Sequence, residues 1–280
     1  MMDFAKSPRN DMNLSIIVTS YKNPDLLKVC LNSIRESLGN FEYELIVADS
    51  ETEERTELMM REDFPDVKFF PFEKNVGFQA LLKKGIEESE GEHLLLLNGD
   101  IIVTPGSVEA LYGYLVQNPS VGIVGPKLLN FNNTLQHSCF RFYEPMTIVY
   151  RRTLLGKLGF AKKHLDWFLM KDRDHEKILE ADWLMGSALM VSRKALEKVG
   201  LMDPRFFMYM EDVDWCRRFW ENGYKVVFYP NSSMHHYHGK VSGKKGVVHS
   251  LLLNKYTWIH IISAIRYFNK YRNKPLPRSN

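Results

Sequence analysis

The feature that most constrains the fold of this chain is the alternation of short apolar runs with amphipathic helical segments before Pro126. Apolar runs bounded by polar turns predict strands, and apolar residues spaced three and four apart predict the helices between them. This alternation predicts an α/β fold with a mostly parallel, Rossmann-like sheet and helices on both faces. The predicted strands are "LSIIVTSY", "YELIVADS", "VKFFPF", "HLLLLN" and "VGIVGP".

The alternation stops after Pro126. Residues 138–180 mix aromatic residues and basic pairs without a sustained period, which predicts loops and short helices. Strand character returns in "ADWLMGSALMVSR" and "KVVFYP", and "MEDVDWCRRFWENGY" between them predicts a helix that ends at Gly223. We therefore expect one domain over residues 1–250 and an aromatic, basic C-terminal helical extension over residues 251–280.

Composition excludes several classes of protein. With 45% hydrophobic and 25% charged residues the chain is typical of a globular protein, and a formal net charge of +3 does not indicate a nucleic-acid partner. The three cysteines lie far apart without metal-ligand spacing, so no disulfide framework is predicted. The N-terminus has no apolar leader, and the best spanning candidate, residues 251–265, is broken by Asn254, Lys255 and His260. We expect a soluble protein of the reducing cytoplasm.

Polar side chains cluster at the ends of three predicted strands. Thr19 to Tyr21 end the first strand, Asp49 and Ser50 end the second, and Asn98 to Asp100 follow the fourth. Each of these has an ordinary explanation when taken alone, because Asp, Asn and Gly favour turns. Ligands of open α/β sheets bind beyond the carboxyl ends of the strands, so the joint placement predicts a binding site at this edge.

The expected ligand carries phosphate but is not held by a glycine-rich loop. The turn after the first strand, "TSYKNP", has no glycine to admit a pyrophosphate, and the chain has no Walker-type loop. This argues against a dinucleotide-binding protein and against a nucleotidyltransferase. A Mg²⁺ or Mn²⁺ ion at Asp100 would supply the missing positive charge, because such ions are commonly held by one or two carboxylates and substrate phosphates.

An ordered set of motifs resembles family-2 glycosyltransferases, and more narrowly bacterial rhamnosyltransferases, over about residues 14–245. The resemblance implies a GT-A fold, with a donor-binding half at about residues 14–130 and an acceptor and catalytic half at about residues 131–250. It also implies inverting transfer of a sugar, with rhamnose from dTDP-rhamnose favoured, to a glycan or lipid-linked saccharide in cell-surface polysaccharide synthesis. The motifs are "SIIVTSYKNPDLLKVCLNSI", "LIVADSE", "NVGFQALLKKGI", "LLLLNGD", "DWLMGSALMVSRKALEKVGLMDPRFFMYMEDVDWCRRFWENGYKV" and "HHYHG".

The resemblance implies roles for residues on the donor side. Thr19 and Tyr21 would line the nucleotide pocket, and Asp49 would bind the base of the donor. The segment "NVGF" resembles a family turn near the nucleotide, which contributes Asn75 and Gly77. Asn75 also suits a helix cap, so the turn has a second, structural interpretation.

The resemblance also implies a metal site. "LLLLNGD" resembles the family's DXD element, with Asn98 in place of its first acidic residue, so Asp100 is expected to reach a Mg²⁺ or Mn²⁺ ion. "HHYHG" resembles an element that completes this site, where His236 matches best by spacing and His238 is the reserve candidate.

On the acceptor side, "WLMGS" resembles a segment that borders the acceptor, formed by Trp183, Gly186 and Ser187. In "EDVDWCRR", Glu211 is expected to contact the acceptor and Asp212 resembles the catalytic base, which takes a proton from the acceptor hydroxyl. A buried structural tryptophan, and two carboxylates that favour a helix N-terminus, are the competing interpretations. The helix dipole would keep Asp212 ionised under either interpretation.

Several alternatives stay open at this point. The same fold with a UDP-hexose or UDP-galactofuranose donor is one, and a non-catalytic relative that binds nucleotide-sugar is another. Asp214 lies three and four residues before Arg217 and Arg218, a spacing that predicts an intrahelical ion pair rather than catalysis. The C-terminal helix either touches the inner face of the cell membrane or packs on the domain with its basic face in water.

Overall fold

A computed structural model of the chain describes residues 13–39, 41–237 and 255–278. Its strands are β1 (Leu14–Tyr21), β2 (Glu44–Ser50), β3 (Lys68–Phe72), β4 (His93–Asn98), β5 (Ile101–Val103), β6 (Val121–Leu129), β7 (Leu135–Gln136), β8 (Cys139–Phe140), β9 (Leu179–Glu180), β10 (Trp183–Leu184), β11 (Ala188–Ser192) and β12 (Lys225–His236). Its helices are α1 (Pro24–Leu38), α2 (Glu54–Asp63), α3 (Phe78–Glu87), α4 (Ser107–Gln117), α5 (Pro145–Arg152), α6 (Gly159–Phe168), α7 (Arg193–Val199), α8 (Glu211–Glu221) and α9 (Lys255–Lys270), with a short 3-10 helix at Leu154–Lys157.

The central sheet has the strand order β3-β2-β1-β4-β11-β6-β12-β5. β3, β2, β1 and β4 run parallel, whereas β11 is antiparallel to both β4 and β6. β6 and β12 are parallel again, and β5 closes the edge as an antiparallel strand. The predicted α/β fold is confirmed, and its parallel half contains the strand ends that were expected to form the site.

Helices cover both faces of the sheet because neighbouring residues of a strand point to opposite sides. Ile16 and Val18 of β1 pack in one core with Leu27 of α1. Ile17 between them belongs to the other core, with α3. A Cβ at Gly85 of α3 would lie 2.3 Å from Cγ2 of Ile17, so this close helix-to-sheet contact requires glycine.

The chain leaves the predicted strand pattern around Asp100. β4 ends at Asn98, and β5 crosses to the edge of the sheet instead of continuing the same strand. β12 runs past its predicted end at Pro230 to His236, with a register shift between Tyr229 and Ser233. As a result, Asp100 lies beside the last residues of β12, which the sequence had suggested were a loop.

The C-terminal helix forms as α9 and packs on the domain. Tyr267 and Tyr271 are buried in the core that also contains residues of α8, whereas half of the surface of Trp258 is exposed. Cys30, Cys139 and Cys216 are buried free thiols, as expected for a chain without a disulfide framework. Within the described ranges, no helix is long and apolar enough to cross a membrane.

Candidate functional site

An open cleft of about 240 Å³ lies beyond the carboxyl ends of β1, β2 and β4. Its position is the one that an open α/β sheet offers a ligand. Of the residues assigned to the donor from sequence, all but Asp49 line this cleft. The lining residues include Thr19, Ser20, Tyr21, Ser50, Asn75, Gly77, Phe78, Asn98, Gly99, Asp100 and Met208.

The turn after β4 is fixed to the end of β1. The amide of Gly99 donates to the carbonyl of Thr19 at 2.8 Å, and the Thr19 hydroxyl lies 3.3 Å from Oδ1 of Asn98. Tyr21 at the rim is 43% exposed and donates its phenol to Glu51 at 3.1 Å. The floor of the cleft is therefore anchored by backbone contacts, while an aromatic ring at its edge is available to a ligand.

Asp49 lies directly beneath this floor. Its side chain is fully buried, and neither carboxylate oxygen makes a hydrogen bond of good geometry within the described residues. Burial raises the pKa of Asp49, against the opposing effect of the nearby Thr52 and Ser20 hydroxyls. A buried carboxylate without a partner is costly, so this position suits a group that receives a hydrogen bond from a ligand.

The turn before α3 has a different structure from the predicted cap. Oδ1 of Asn75 accepts from the amide of Gly77 at 3.1 Å, and Gly77 itself, with a φ of +82°, precedes the helix. The expectation that Asn75 caps α3 is therefore wrong. A Cβ at Gly77 would lie 2.7 Å from the carbonyl oxygen of Phe207, so glycine is needed for the close approach of that loop.

Asp100 and His236 face one another at the other end of the cleft. Nε2 of His236 lies 3.4 Å from Oδ1 of Asp100, and this oxygen accepts no hydrogen bond within the described residues. Nδ1 of His236 lies 2.6 Å from Oε1 of Gln136. Gln136 therefore fixes the orientation of the imidazole ring, with Nε2 towards the carboxylate of Asp100.

An imidazole nitrogen and a carboxylate oxygen are both ligands that divalent metals use, so the side chains of His236 and Asp100 fit such an ion. Among the described residues, no group of three His, Cys, Asp or Glu side chains could hold an ion. The remaining ligands would therefore be water and substrate oxygens, as is common for Mg²⁺. His235, the preceding residue of β12, points away from Asp100, and its Nε2 lies 3.0 Å from Oδ1 of Asn133. The reserve candidate His238 lies outside the described residues.

One loop joins this end of the cleft to Asp212. The carbonyl of Ser187 accepts from the amide of Asn98 at 2.9 Å, and the amide of Gly186 donates to Oδ2 of Asp212 at 3.2 Å. A Cβ at Gly186 would meet the ring of Phe78 at 3.3 Å and Cβ of Asp212 at 3.5 Å. Gly186 and Ser187 therefore hold the predicted catalytic base directly behind the wall of the donor cleft.

Of the two acidic residues at the start of α8, Glu211 is buried and Asp212 is half-buried. Desolvation raises the pKa of Asp212 to about 6, although the amides of Gly186 and Val213 favour its ionised form. Burial, and then the charge of Asp212, raise the pKa of Glu211 well above its ordinary value. The helix dipole was expected to dominate at Asp212, but desolvation has the larger effect. The two neighbouring carboxyl groups therefore disfavour each other's ionisation.

Trp183 has the contacts of a core residue. It is 5% exposed, donates its indole N–H to the carbonyl of Arg141 at 2.8 Å, and stacks on Phe140 with ring centroids 4.2 Å apart. These contacts support the structural interpretation of this tryptophan, so any effect of its indole on an acceptor would be indirect.

Asp214 makes the predicted intrahelical ion pair. It is fully buried and pairs with Arg218 at 2.9 Å, whereas Arg217 pairs with Glu221 at 3.0 Å. Of the two arginines with suitable spacing, Arg218 is therefore the partner of Asp214. Nζ of Lys270 in α9 lies 2.5 Å from Oδ1 of Asp214 and places a second positive charge beside this carboxylate.

The loop before α8 is held by α9, which sequence reasoning did not connect with the site. Tyr209 and Met210 both have a φ of +67°, a region that residues other than glycine rarely adopt. The hydroxyl of Ser263 donates to the carbonyl of Met208 at 2.9 Å, and Lys270 pairs with Asp203 at 2.7 Å. Helix α9 thus fixes a strained segment that ends at the catalytic candidates. Gln136 was also missed, because neither residue type nor spacing links it to His236.

The sequence matches the model of the family described as Glycosyl transferase family 2 over residues 15–200. It is 26% identical over 230 residues to N-acetylglucosaminyl-diphospho-decaprenol L-rhamnosyltransferase of Mycobacterium tuberculosis. The aligned region covers 78% of this chain and 74% of that protein. It is 21% identical over 243 residues to dTDP-rhamnosyl transferase RfbF of Shigella flexneri, with 83% and 71% covered.

Among solved structures, the chain resembles that of GalNAc-T7 with UDP, GalNAc and Mn²⁺, with a TM-score of 0.58 at 15% identity. The match covers 82% of this chain and spans 46% of the GalNAc-T7 chain, so it establishes the GT-A fold. With more than half of the sequence matched to the family and the strand ends arranged as described, the chain belongs to glycosyl transferase family 2 and is a glycosyltransferase that resembles rhamnosyltransferases.

Proposed function

We propose that this glycosyltransferase transfers a sugar, favouring rhamnose from dTDP-rhamnose, to a saccharide or lipid-linked saccharide acceptor in cell-surface polysaccharide synthesis. The names of the rhamnosyltransferase relatives support the donor and the acceptor class. We further propose a cytoplasmic enzyme that is peripheral on the inner face of the cell membrane. The C-terminal helix and its neighbours would make that membrane contact.

The observation that carries the proposal is the double link through the Gly186–Ser187 loop. Ser187 holds Asn98 of the donor cleft and Gly186 holds Asp212, each by a backbone hydrogen bond. A sugar bound in the cleft would therefore lie close to a buried carboxylate on an adjacent wall. This is the arrangement that direct displacement at an anomeric carbon requires, and it accounts for the proposed inversion of configuration.

Each part of the chain then has a defined task. Thr19, Tyr21 and Asn75 would line the nucleotide pocket, and Asp49 would accept a hydrogen bond from the base. Asp212 would take the proton from the acceptor hydroxyl as its oxygen attacks the sugar.

A divalent ion between Asp100 and His236 would neutralise negative charge on the leaving diphosphate. The divalent ion is proposed to be Mg²⁺ or Mn²⁺. Gly186, Ser187 and Glu211 would border the acceptor. Burial and the charge of Asp212 raise the pKa of Glu211 and so favour its protonated form, which could donate a hydrogen bond there.

The test is a panel of dTDP- and UDP-sugars with and without Mn²⁺, scored by thermal shift and by transfer. Stabilisation by dTDP-rhamnose that increases with metal, followed by transfer, supports the proposal, since a ligand that binds the folded state raises the melting temperature. Asp100→Ala should remove the metal-dependent part of that shift. The exposed Asp63→Ala is the matched control and should keep it.

Other outcomes would favour the alternatives. A larger shift and faster transfer with UDP-glucose or UDP-galactofuranose would favour a donor other than dTDP-rhamnose. Donor binding with neither transfer nor donor hydrolysis would favour a non-catalytic relative. An equal metal response in wild type and Asp100→Ala would remove Asp100 from the site.

A further inference from the structure

The segment between α5 and α6 leaves four large apolar side chains uncovered. Leu154, Leu155, Leu158 and Phe160 expose 57%, 46%, 45% and 63% of their surfaces. A single exposed leucine needs no explanation, but a contiguous apolar group on the surface usually marks an interaction site. These residues lie on a short 3-10 helix and at the start of α6, away from the donor cleft.

The charge within this segment has one sign. Residues 145–165 contain Arg151, Arg152, Lys157, Lys162 and Lys163 and no aspartate or glutamate, and the acidic residues that flank them are Glu144 and Asp166, of which Asp166 pairs with Lys171. Lys157, Lys162 and Lys163 are exposed beside the apolar group. Apolar side chains flanked by lysine match the interface of an anionic bilayer, where the chains enter the headgroup region and the ammonium groups meet lipid phosphates.

A second apolar group lies on α9, which contacts α5. Trp258, Ile262 and Ile265 are 50%, 45% and 55% exposed, and their spacing places them along one side of the helix. On the buried side of the same helix, Nδ1 of His260 lies 3.0 Å from Nε of Arg152. Helix α9 therefore contacts the end of the helix that directly precedes the first apolar group.

This surface adjoins the acceptor side of the enzyme. α5 carries Arg151, which donates to the hydroxyl of Tyr143, and its positive charge lowers the pKa of Asp212. The uncovered leucines follow the end of this helix directly. A lipid-linked acceptor could therefore reach Asp212 while its lipid stays in a bilayer at this surface.

We propose that the basic apolar surface, formed by residues 154–163 with Trp258, Ile262 and Ile265, binds the face of an anionic lipid bilayer. The inference rests on the proposed function, because a lipid-linked acceptor is the reason for this enzyme to bind a bilayer. Binding to lipid itself needs neither donor nor turnover and is measured separately.

The experiment is co-sedimentation of the full chain with vesicles of phosphatidylcholine alone or mixed with phosphatidylglycerol, at low and high salt. Wild type is expected to bind the anionic vesicles and to be released by salt. The double variant Leu154→Ser/Phe160→Ser should lose about tenfold or more of this binding, because each buried apolar side chain adds to interfacial affinity. Lys162→Glu/Lys163→Glu should reduce binding to anionic vesicles selectively. The matched control Leu58→Ser/Val116→Ser removes apolar residues that are 39% and 48% exposed elsewhere and should bind like wild type.

Absence of wild-type binding, or equal binding by Leu154→Ser/Phe160→Ser, would overturn the proposal. So would a dimer in light scattering that this variant dissociates, without lipid binding by wild type, since a second copy would then cover the surface. Transfer to a water-soluble acceptor is measured in parallel. Persistent transfer with no lipid binding overturns the membrane surface and the proposed peripheral location but leaves the proposed transfer reaction, whereas lipid binding without any transfer overturns only that reaction.

Discussion

On the donor side of the cleft, Thr19, Asp49 and Asn98 each stand at or within two residues of the end of a strand. On the catalytic side, Asp212 begins α8 after a strained loop and is positioned by segments that are distant in the chain. Its partner Gly186 is 26 residues earlier, and the loop before it is held by Ser263 and Lys270 of α9.

The donor side and the catalytic side are therefore expected to respond differently to substitution. Parallel strand pairing aligns the donor residues, so their positions follow from the register of β1, β2 and β4. The catalytic side depends on hydrogen bonds and ion pairs between elements that share no sheet edge. We expect substitutions on the donor side to change ligand affinity, and those on the catalytic side to change turnover or stability.

The largest expected effect is at the base itself. Asp212→Asn should lower kcat by about 10²- to 10⁴-fold, because an amide cannot accept the proton of the acceptor hydroxyl. Donor affinity, measured by calorimetric titration, should stay within about twofold of wild type, since only the catalytic side is altered. The neighbouring Glu211→Gln should cost much less, because glutamine resembles the protonated carboxyl group. If Asp212→Asn kept near wild-type turnover, Asp212 would have a structural role and the catalytic side would not contain the base.

The second largest expected effect is on the free energy of unfolding, through the contacts of α9. Lys270→Met should lower the free energy of unfolding by about 3 kcal/mol, because the fully buried Asp214 loses a charged partner. The control Lys28→Met breaks an ion pair whose side chains are 48% and 42% exposed, and it should cost at most about 1 kcal/mol. Urea denaturation measures both variants. Equal costs would mean that α9 is not needed to hold the catalytic side.

A smaller effect is expected at Gln136, behind the proposed metal site. Gln136→Leu should weaken Mn²⁺-dependent donor binding by about tenfold, because the amide oxygen that orients His236 is lost. Titration of donor with and without Mn²⁺ measures this, and the nitrogen chemical shifts of His236 report its tautomer. Metal-independent affinity should not change. An unchanged tautomer together with unchanged affinity would assign Gln136 to packing alone.

The smallest expected effect is a pH dependence of turnover. Since only the deprotonated Asp212 accepts a proton, kcat should be constant above its raised pKa and should fall about tenfold per pH unit below about 6. Donor affinity should not follow the same curve, because the donor residues lie on the other side. A kcat profile that stays flat down to pH 4 would exclude Asp212 as the titrating base.

Much of the donor side was predictable, because short-range patterns encode it. The alternation of strands and helices predicted the α/β fold, and residues at the strand ends identified the residues of the cleft. The prediction failed where local preference competed with distant contacts. Asn75 has the residue type of a cap, but its side chain accepts from the amide of Gly77, and the close contact with Phe207 requires glycine at the position before the helix. Arg217 and Arg218 both have the spacing to pair with Asp214, but only Arg218 does so, because Glu221 and the carbonyl of Pro275 bind the guanidinium of Arg217.

The sequence by itself determined the order of the main strands and helices, because apolar periodicity and turn residues act over a few positions. Its ordered motifs, through their resemblance to a known family, indicated the family and the residues available for chemistry. Only the tertiary structure decided which of those residues meet. β12 extends to bring His236 beside Asp100, Gln136 orients that histidine, and α9 returns to hold the loop before Asp212. These contacts depend on burial and on the pairing of groups far apart in the chain, and no local pattern records them.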